Sequence, residues 1–178
     1  MVAPSRPFVI DAMKEGDIRE VAAMEGPTRM DEAQVRAELE RPWARIWVAR
    51  ETEPGSSASR ASPARDEITG YLVAWHVADE LHVMNVATRA DRRRRGVGRA
   101  LVDAAVGYAR ARRVRHALLE VRRSNRPAIS LYRSVGFFAM GVRARYYADD
   151  EDAVEMVLLF DPTTGDIVAH ADEIRLEA

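Results

Sequence analysis

Residues 92–101, RRRRGVGRAL, set four arginines directly before two glycines spaced by one residue, and then run into an apolar helical pattern. The chemistry this arrangement can do is anion binding. The first N–H groups of a helix have no intrahelical acceptor, glycines let an anion approach the main chain, and arginines add charge. A nucleic-acid backbone, a dinucleotide pyrophosphate and the phosphates of an acyl carrier all fit that description. Over the whole chain 27 Lys+Arg face 28 Asp+Glu, a net charge of −1. A nucleic-acid-binding domain would carry a basic excess, so no direct nucleic-acid partner is expected. A dinucleotide site would want a third glycine where Leu101 stands and a direct turn from strand to glycine, whereas the polar stretch 89–95 intervenes. Glu120 keeps that reading open by its distance from the glycines. The P-loop is excluded, because Gly98-Arg99-Ala100 replaces Gly-Lys-Ser/Thr. A solvated arginine loop with glycine caps is the alternative without a ligand.

Other chemistry is sparse. The chain has no cysteine, which removes disulfides, thiolate catalysis and cysteine zinc sites. His76 and His82 lie outside any H-E-x-x-H or carboxylate cluster and read as structural, so no metal is expected. Ser124 has no legible His–Asp partners and reads as a cap. No start of the chain resembles a signal peptide, and apolar runs such as Val154–Phe160 are too short to span a bilayer, so a cytoplasmic protein without membrane association is expected.

The elements that must position these residues follow from hydrophobic period and caps. With 178 residues one compact domain is expected. FVIDAM (8–13) reads as a strand, Asp17 and Asp31 as caps of two short helices, and IWVAR (46–50) as a strand. Residues 51–67 read as a flexible loop insertion. ITGYLVAWHVA (68–78) and LHVMNVAT (81–88) are strands, followed by a long helix from Val97 whose C-terminal end carries Arg110, Arg112 and Arg113. HALLEV (116–121) is a strand. A helix follows with Pro127 in its first turn and Gly136 as its C′ residue, then strands over 137–147 and 153–160. No element is assigned to 161–178. The order is β-α-α-β-β-β-α-β-α-β-β, an α/β fold with antiparallel portions and one βαβ crossover.

Arg93-x-x-Gly96-x-Gly98, preceded by MNVAT and followed by an amphipathic helix, resembles the acetyl-CoA-binding motif of the GNAT N-acetyltransferases. LLEVRRSNRPAISLYRSVGF (118–137) and RARYYADDEDAVEM (143–156) are similar to the corresponding segments of the ribosomal-protein alanine N-acetyltransferases, and the resemblance runs from about residue 7 to 160. It implies a GNAT domain over 1–160, with a mixed, mostly antiparallel sheet and helices on both faces, followed by a C-terminal extension, 161–178. It also implies that Val86, Ala87 and Thr88 lie along pantetheine, and that Arg94, Arg95, Gly96, Val97, Gly98 and Arg99 hold the pyrophosphate. Glu120 would be the general base, Asn125 a cofactor contact and Tyr132 the proton donor to the thiolate. An unperturbed phenol would make that proton transfer only slightly uphill. The bland roles are an edge-of-strand carboxylate for Glu120, a helix cap for Asn125 and a core aromatic for Tyr132.

The implied acceptor is the α-amine of a protein N-terminus, with the alanine of ribosomal protein S18 as the subfamily's target. A small-molecule amine, a lysine side chain, or an acyl-CoA sensor without catalysis are the other readings. The acidic tip Asp149–Asp152 is a solvated turn or a steering patch for a cationic terminus, and Tyr146 and Tyr147 are candidate walls of the acceptor mouth. EGPTRMDEAQ (25–34) stands where the family carries an aromatic docking pair.

Overall fold

The computed structural model describes residues 8–25, 29–51 and 67–176. The loop insertion assigned to 51–67 therefore falls, but for its two end residues, outside the described residues, as do 26–28 of the docking segment. The elements are β1 (Phe8–Ala12), α1 (Ile18–Ala22), α2 (Glu32–Glu40), β2 (Ala44–Glu51), β3 (Glu67–Val77), β4 (Glu80–Thr88), α3 (Val97–Ala111), β5 (His116–Arg122), α4 (Arg126–Val135), β6 (Phe138–Arg143), β7 (Ala153–Phe160) and β8 (Ile167–Val168), with 3₁₀ turns at Glu15–Asp17 and Ala90–Arg92. The hydrogen-bonded strand order is β1-β2-β3-β4-β5-β7-β6, with β8 on β7. The β4–β5 pair is parallel and α3 is its crossover, as a parallel neighbour requires.

Three expectations are corrected. The strand assigned to 137–147 ends at Arg143, because Arg145 turns to φ +53° and its N–H donates to Asp152 Oδ1 at 3.0 Å. The long helix stops at Ala111 rather than Arg113, which adopts a left-handed φ of +57°. Residues 161–176, given no element, contain β8, which is too short to show any hydrophobic period.

The chain forms two compact units, Met1–Val73 with Asn85–Ala104 and Ala74–Met84 with Ala105–Ala178. The first gathers Ile18, Val21, Val35, Val48, Ile68 and Tyr71 into a core. These are the inward positions of α1, α2, β2 and β3. α2 begins at Asp31, whose side chain accepts from the Gln34 N–H at 2.8 Å while Gln34 Oε1 accepts from the Asp31 N–H, a reciprocal cap. In the second unit β7 is the central strand. It pairs antiparallel with β5 from His116↔Leu159 to Arg122↔Ala153, and with β6 through a register shift between Ala139 and Gly141. α4 buries Ile129, Tyr132 and Val135, a three-residue spacing along one helix face.

Candidate active site

In the first unit, the arginine run is a turn between β4 and α3. Arg94 (φ +62°) and Gly96 (φ +89°) both adopt left-handed backbone, which costs about 1–2 kcal/mol at a non-glycine residue. The Ala100 N–H donates to the Gly96 carbonyl at 2.9 Å, so α3 opens directly after Gly96 with Gly98 in its first turn. The N–H groups of that turn have no intrahelical acceptor. Arg93, Arg94 and Arg95 are exposed and carry no ion pair with a described residue.

Two arginines of the stretch are committed elsewhere. Arg99 Nε sits 2.8 Å from Asp103 Oδ1 on the exposed face of α3, a pair weak enough for a phosphate to displace. Arg92 Nε lies 2.7 Å from Glu51 Oε2, whose side chain is only 6% exposed, and Arg92 also reaches Glu67 and Asp91. Arg92 therefore fastens the turn to the ends of β2 and β3. Gly70 of β3 completes the arrangement. A Cβ there would lie 2.8 Å from both the Ala87 carbonyl oxygen and Val97 Cγ1, so β4 and the first residue of α3 close on β3 only because position 70 has no side chain. Sequence reasoning missed Gly70 and Arg92. A lone glycine inside a strand pattern was the available signal for the first.

Val86, Ala87 and Thr88 end β4. The parallel ladder with β5 runs from Glu80↔His116 to Val83↔Leu119, and β4 continues past it through Met84 to Thr88.

In the second unit, Glu120 is an exposed residue of β5. Its Oε1 accepts from Arg143 Nη1 at 2.9 Å, and Arg143 Nε stands 3.7 Å from Glu155 Oε1. Neither Arg143 nor Glu155 was picked out from the sequence, since their meeting with Glu120 depends on register across three strands. Asn125 caps α4, accepting from the Ala128 N–H at 3.2 Å. Tyr132 is 7% exposed and packs against Phe137, with ring centroids 5.8 Å apart. Burial, with a smaller contribution from Tyr147, pushes its phenol up to about 12. The proton transfer to a thiolate is thus steeper than an unperturbed phenol would make it.

The acidic tip is a set of internal pairs. Asp149 and Glu151 lie 2.9 and 2.7 Å from Arg122 Nη1, and Asp152 lies 3.3 Å from Arg123. Much of the charge expected to steer a cation is spent on these arginines. Arg122 also lies 4.0 Å from the centre of the Tyr147 ring and Arg143 4.8 Å from that of Tyr146. His76 Nδ1 is 2.9 Å from the Tyr108 hydroxyl and His82 Nε2 2.8 Å from Glu80 Oε2. Among the described residues no group of three or more His, Asp or Glu could hold a metal ion, and no helix is long and apolar enough to cross a membrane.

A sequence profile of the acetyltransferase (GNAT) family matches residues 16–137. The chain belongs to that family. The ribosomal protein bS18-alanine N-acetyltransferase of Salmonella typhimurium is 38% identical over 98 residues, 53% of this chain and 66% of that protein. An N-alpha-acetyltransferase of Sulfurisphaera tokodaii is 42% identical over 76 residues, 42% of this chain and 46% of that one. The chain thus spans less than two thirds of the length of the curated relatives it matches. The crystal structure of the ribosomal-protein-S18-alanine N-acetyltransferase from Escherichia coli superimposes with a TM-score of 0.71 at 25% identity, covering 94% of this chain and 97% of that one. The α/β GNAT fold expected from the motifs is the fold observed.

Proposed function

We propose that this GNAT protein transfers acetyl from acetyl-CoA to the α-amine of a protein N-terminus, the alanine of ribosomal protein bS18 being the favoured acceptor. The observation that carries acetyl-CoA use is the start of α3, where exposed arginines and a glycine-opened helix N-terminus stand together at the end of β4. The names of the relatives support the acceptor.

When bound, acetyl-CoA supplies an acetyl group activated as a thioester. The main chain of Val86, Ala87 and Thr88 would hold its pantetheine arm. The first turn of α3 (Gly96, Val97, Gly98), with Arg94, Arg95 and an Arg99 released from Asp103, would hold the pyrophosphate. Asn125 keeps its capping bond and offers its amide N–H groups as a further contact. Glu120 takes the proton of the acceptor's ammonium so that the amine nitrogen can bond to the thioester carbon. Tyr132 gives its proton to the sulfur as the C–S bond breaks, and the phenolate is reprotonated from solvent. Overall one N–C bond forms and one C–S bond breaks; the nitrogen loses two protons, one to Glu120 before attack and one as the amide forms, of which one is matched by the new S–H and the other is released to solvent.

The domain is proposed to run over 1–160, with 161–178 as an extension. At neutral pH an α-amine, with a pKa near ~7.8, exposes roughly a few hundred times more neutral nucleophile than a lysine near ~10.4, so one carboxylate base suffices for it. The test is acetylation of a free N-terminal alanine peptide against the same peptide blocked at its N-terminus and offering a lysine, with tandem mass spectrometry of the product. Acetyl on the α-amine is expected. Acetyl on lysine alone, or only on a small amine, overturns the acceptor. Acetyl-CoA binding with no transfer to any amine makes the protein a sensor.

A further inference from the structure

On the face of β5 that carries Glu120, the register sets Glu155 of β7 directly opposite, and Gly141 of β6 opposite Glu155. A Cβ at position 141 would lie 2.7 Å from Glu155 Oε2, so the glycine leaves the room this carboxylate occupies. Two residues further along β6, on the same side, Arg143 reaches both acids, at 2.9 Å to Glu120 and 3.7 Å to Glu155. The Tyr146 ring backs the guanidinium. Among the described residues, Arg122 lies two positions along β5 on the same strand face and is engaged by Asp149 and Glu151, and Tyr147, which interacts electrostatically with Glu120, lies against Arg122.

We propose that Arg143 is a positioning residue that keeps Glu120 ionised beside a second carboxylate, Glu155, and so sets the acid limb of the reaction. The inference rests on the reading of Glu120 as the base. Two carboxylates at facing register positions raise one another's proton affinity, and a cation bonded between them offsets it. A base that already holds a proton cannot take the acceptor's, so loss of the bridge moves the onset of activity to higher pH. Lysine in place of Arg143 keeps the charge but loses the planar fork that spans both acids.

Two measurements on the full chain test this. The first follows the Glu120 and Glu155 side-chain carboxyls by ¹³C NMR titration. Arg143→Gln should raise the apparent midpoint of the pair by about one pH unit, the scale of losing an adjacent opposite charge. Arg143→Gln combined with Glu155→Gln should bring Glu120 back close to its wild-type midpoint, and Arg143→Lys should retain most of it. The second is the pH profile of kcat/KM, in which the acceptor amine's own ionisation is common to all variants. Its acid limb should move with the NMR midpoint. An unshifted carboxyl titration in Arg143→Gln, or a shift that persists in the double variant, overturns the proposal. Carboxyls that shift as expected while the profile stays put remove Glu120 from the base role, and the assignment of Arg143 to the reaction with it. A wild-type protein that acetylates no free-amine peptide overturns the acceptor reading, whereas the carboxyl titration still decides the Arg143 coupling.

Discussion

Tyr132 shows how far an environment changes a residue whose role the family resemblance implies. A phenol at about 12 stands roughly 3.5 units above a thiol near ~8.5, about 5 kcal/mol uphill for a complete proton transfer to the free thiolate. The proton is therefore expected to move in step with C–S cleavage rather than after it. Tyr132→Phe, which keeps the ring against Phe137, should lower kcat by about 10²-fold or more while acetyl-CoA affinity by calorimetry stays unchanged. The wild-type profile should also show no falling limb between pH 9 and 11, where an unperturbed tyrosine near ~10 would titrate. Glu120→Gln should cut turnover most below the acceptor amine's pKa, where a proton must be removed, and a profile parallel to wild type would exclude Glu120 as base. The family resemblance is what singles out Glu120, Asn125 and Tyr132 in the sequence; the capping and apolar signatures around them predict a cap at Asn125 and a core position for Tyr132, both of which are observed. Arg143 and Glu155 were not legible, because their closeness to Glu120 is a product of register, and register is set by packing across β5, β7 and β6.

Among the elements, β3, β4 and α3 depend on Gly70. Alanine there must push against the Ala87 carbonyl and the Val97 side chain, and overpacking of this kind costs about 1–3 kcal/mol. Because the two atoms belong to the end of β4 and the opening residue of α3, Gly70→Ala should weaken acetyl-CoA binding as well as lower the urea midpoint. A variant with a lowered midpoint and unchanged acetyl-CoA affinity would show that the cradle does not depend on this approach. The helix opening was readable in advance, since a run of polar residues giving way to a 3.6-residue apolar period marks a boundary in the chain itself. The close approach that completes it was not, since a glycine in a strand is compatible with several causes.

At the scale of the molecule, acid should loosen the second unit first. Hydrogen bonds from Ser124 and the nearby Arg122 guanidinium hold the Glu151 carboxyl down to about 2, against an ordinary 4.5. A carboxyl whose folded-state value is depressed contributes stability that is complete above about 4.5 and is lost as the pH falls toward 2. Asp149 and Asp161 are shifted in the same direction by Arg122 and by the Thr163 and Thr164 N–H groups. Urea midpoints should therefore fall between pH 4.5 and 2, with a shallower fall in Glu151→Gln. The element order, and with it the fold class, was visible in the sequence. The anchoring of residues 161–176 was not, because it is carried by contacts distant in the chain. Arg110 reaches Asp166 at 2.7 Å, Arg133 bonds Asp172, the Glu173 N–H donates to Ala139 at 2.8 Å, and β8 pairs with β7.

The clamp of Arg92 on Glu51 and Glu67 also bears on where the backbone can be severed. Both acids flank residues 52–66, and the same unit holds the two sides together through further bonds, Thr69 Oγ1 to the Ala49 carbonyl at 3.2 Å and the Ile68 N–H to Glu20 at 2.7 Å. A single protease cut between Glu51 and Glu67 should therefore leave two pieces that elute together on size exclusion and still bind acetyl-CoA. Arg92→Ala should make the same nicked protein come apart at a lower urea concentration. The protein would then serve as a split reporter, reassembling from separately expressed halves, and halves that never associate would show that continuity of the chain, rather than the clamp, holds β2 against β3.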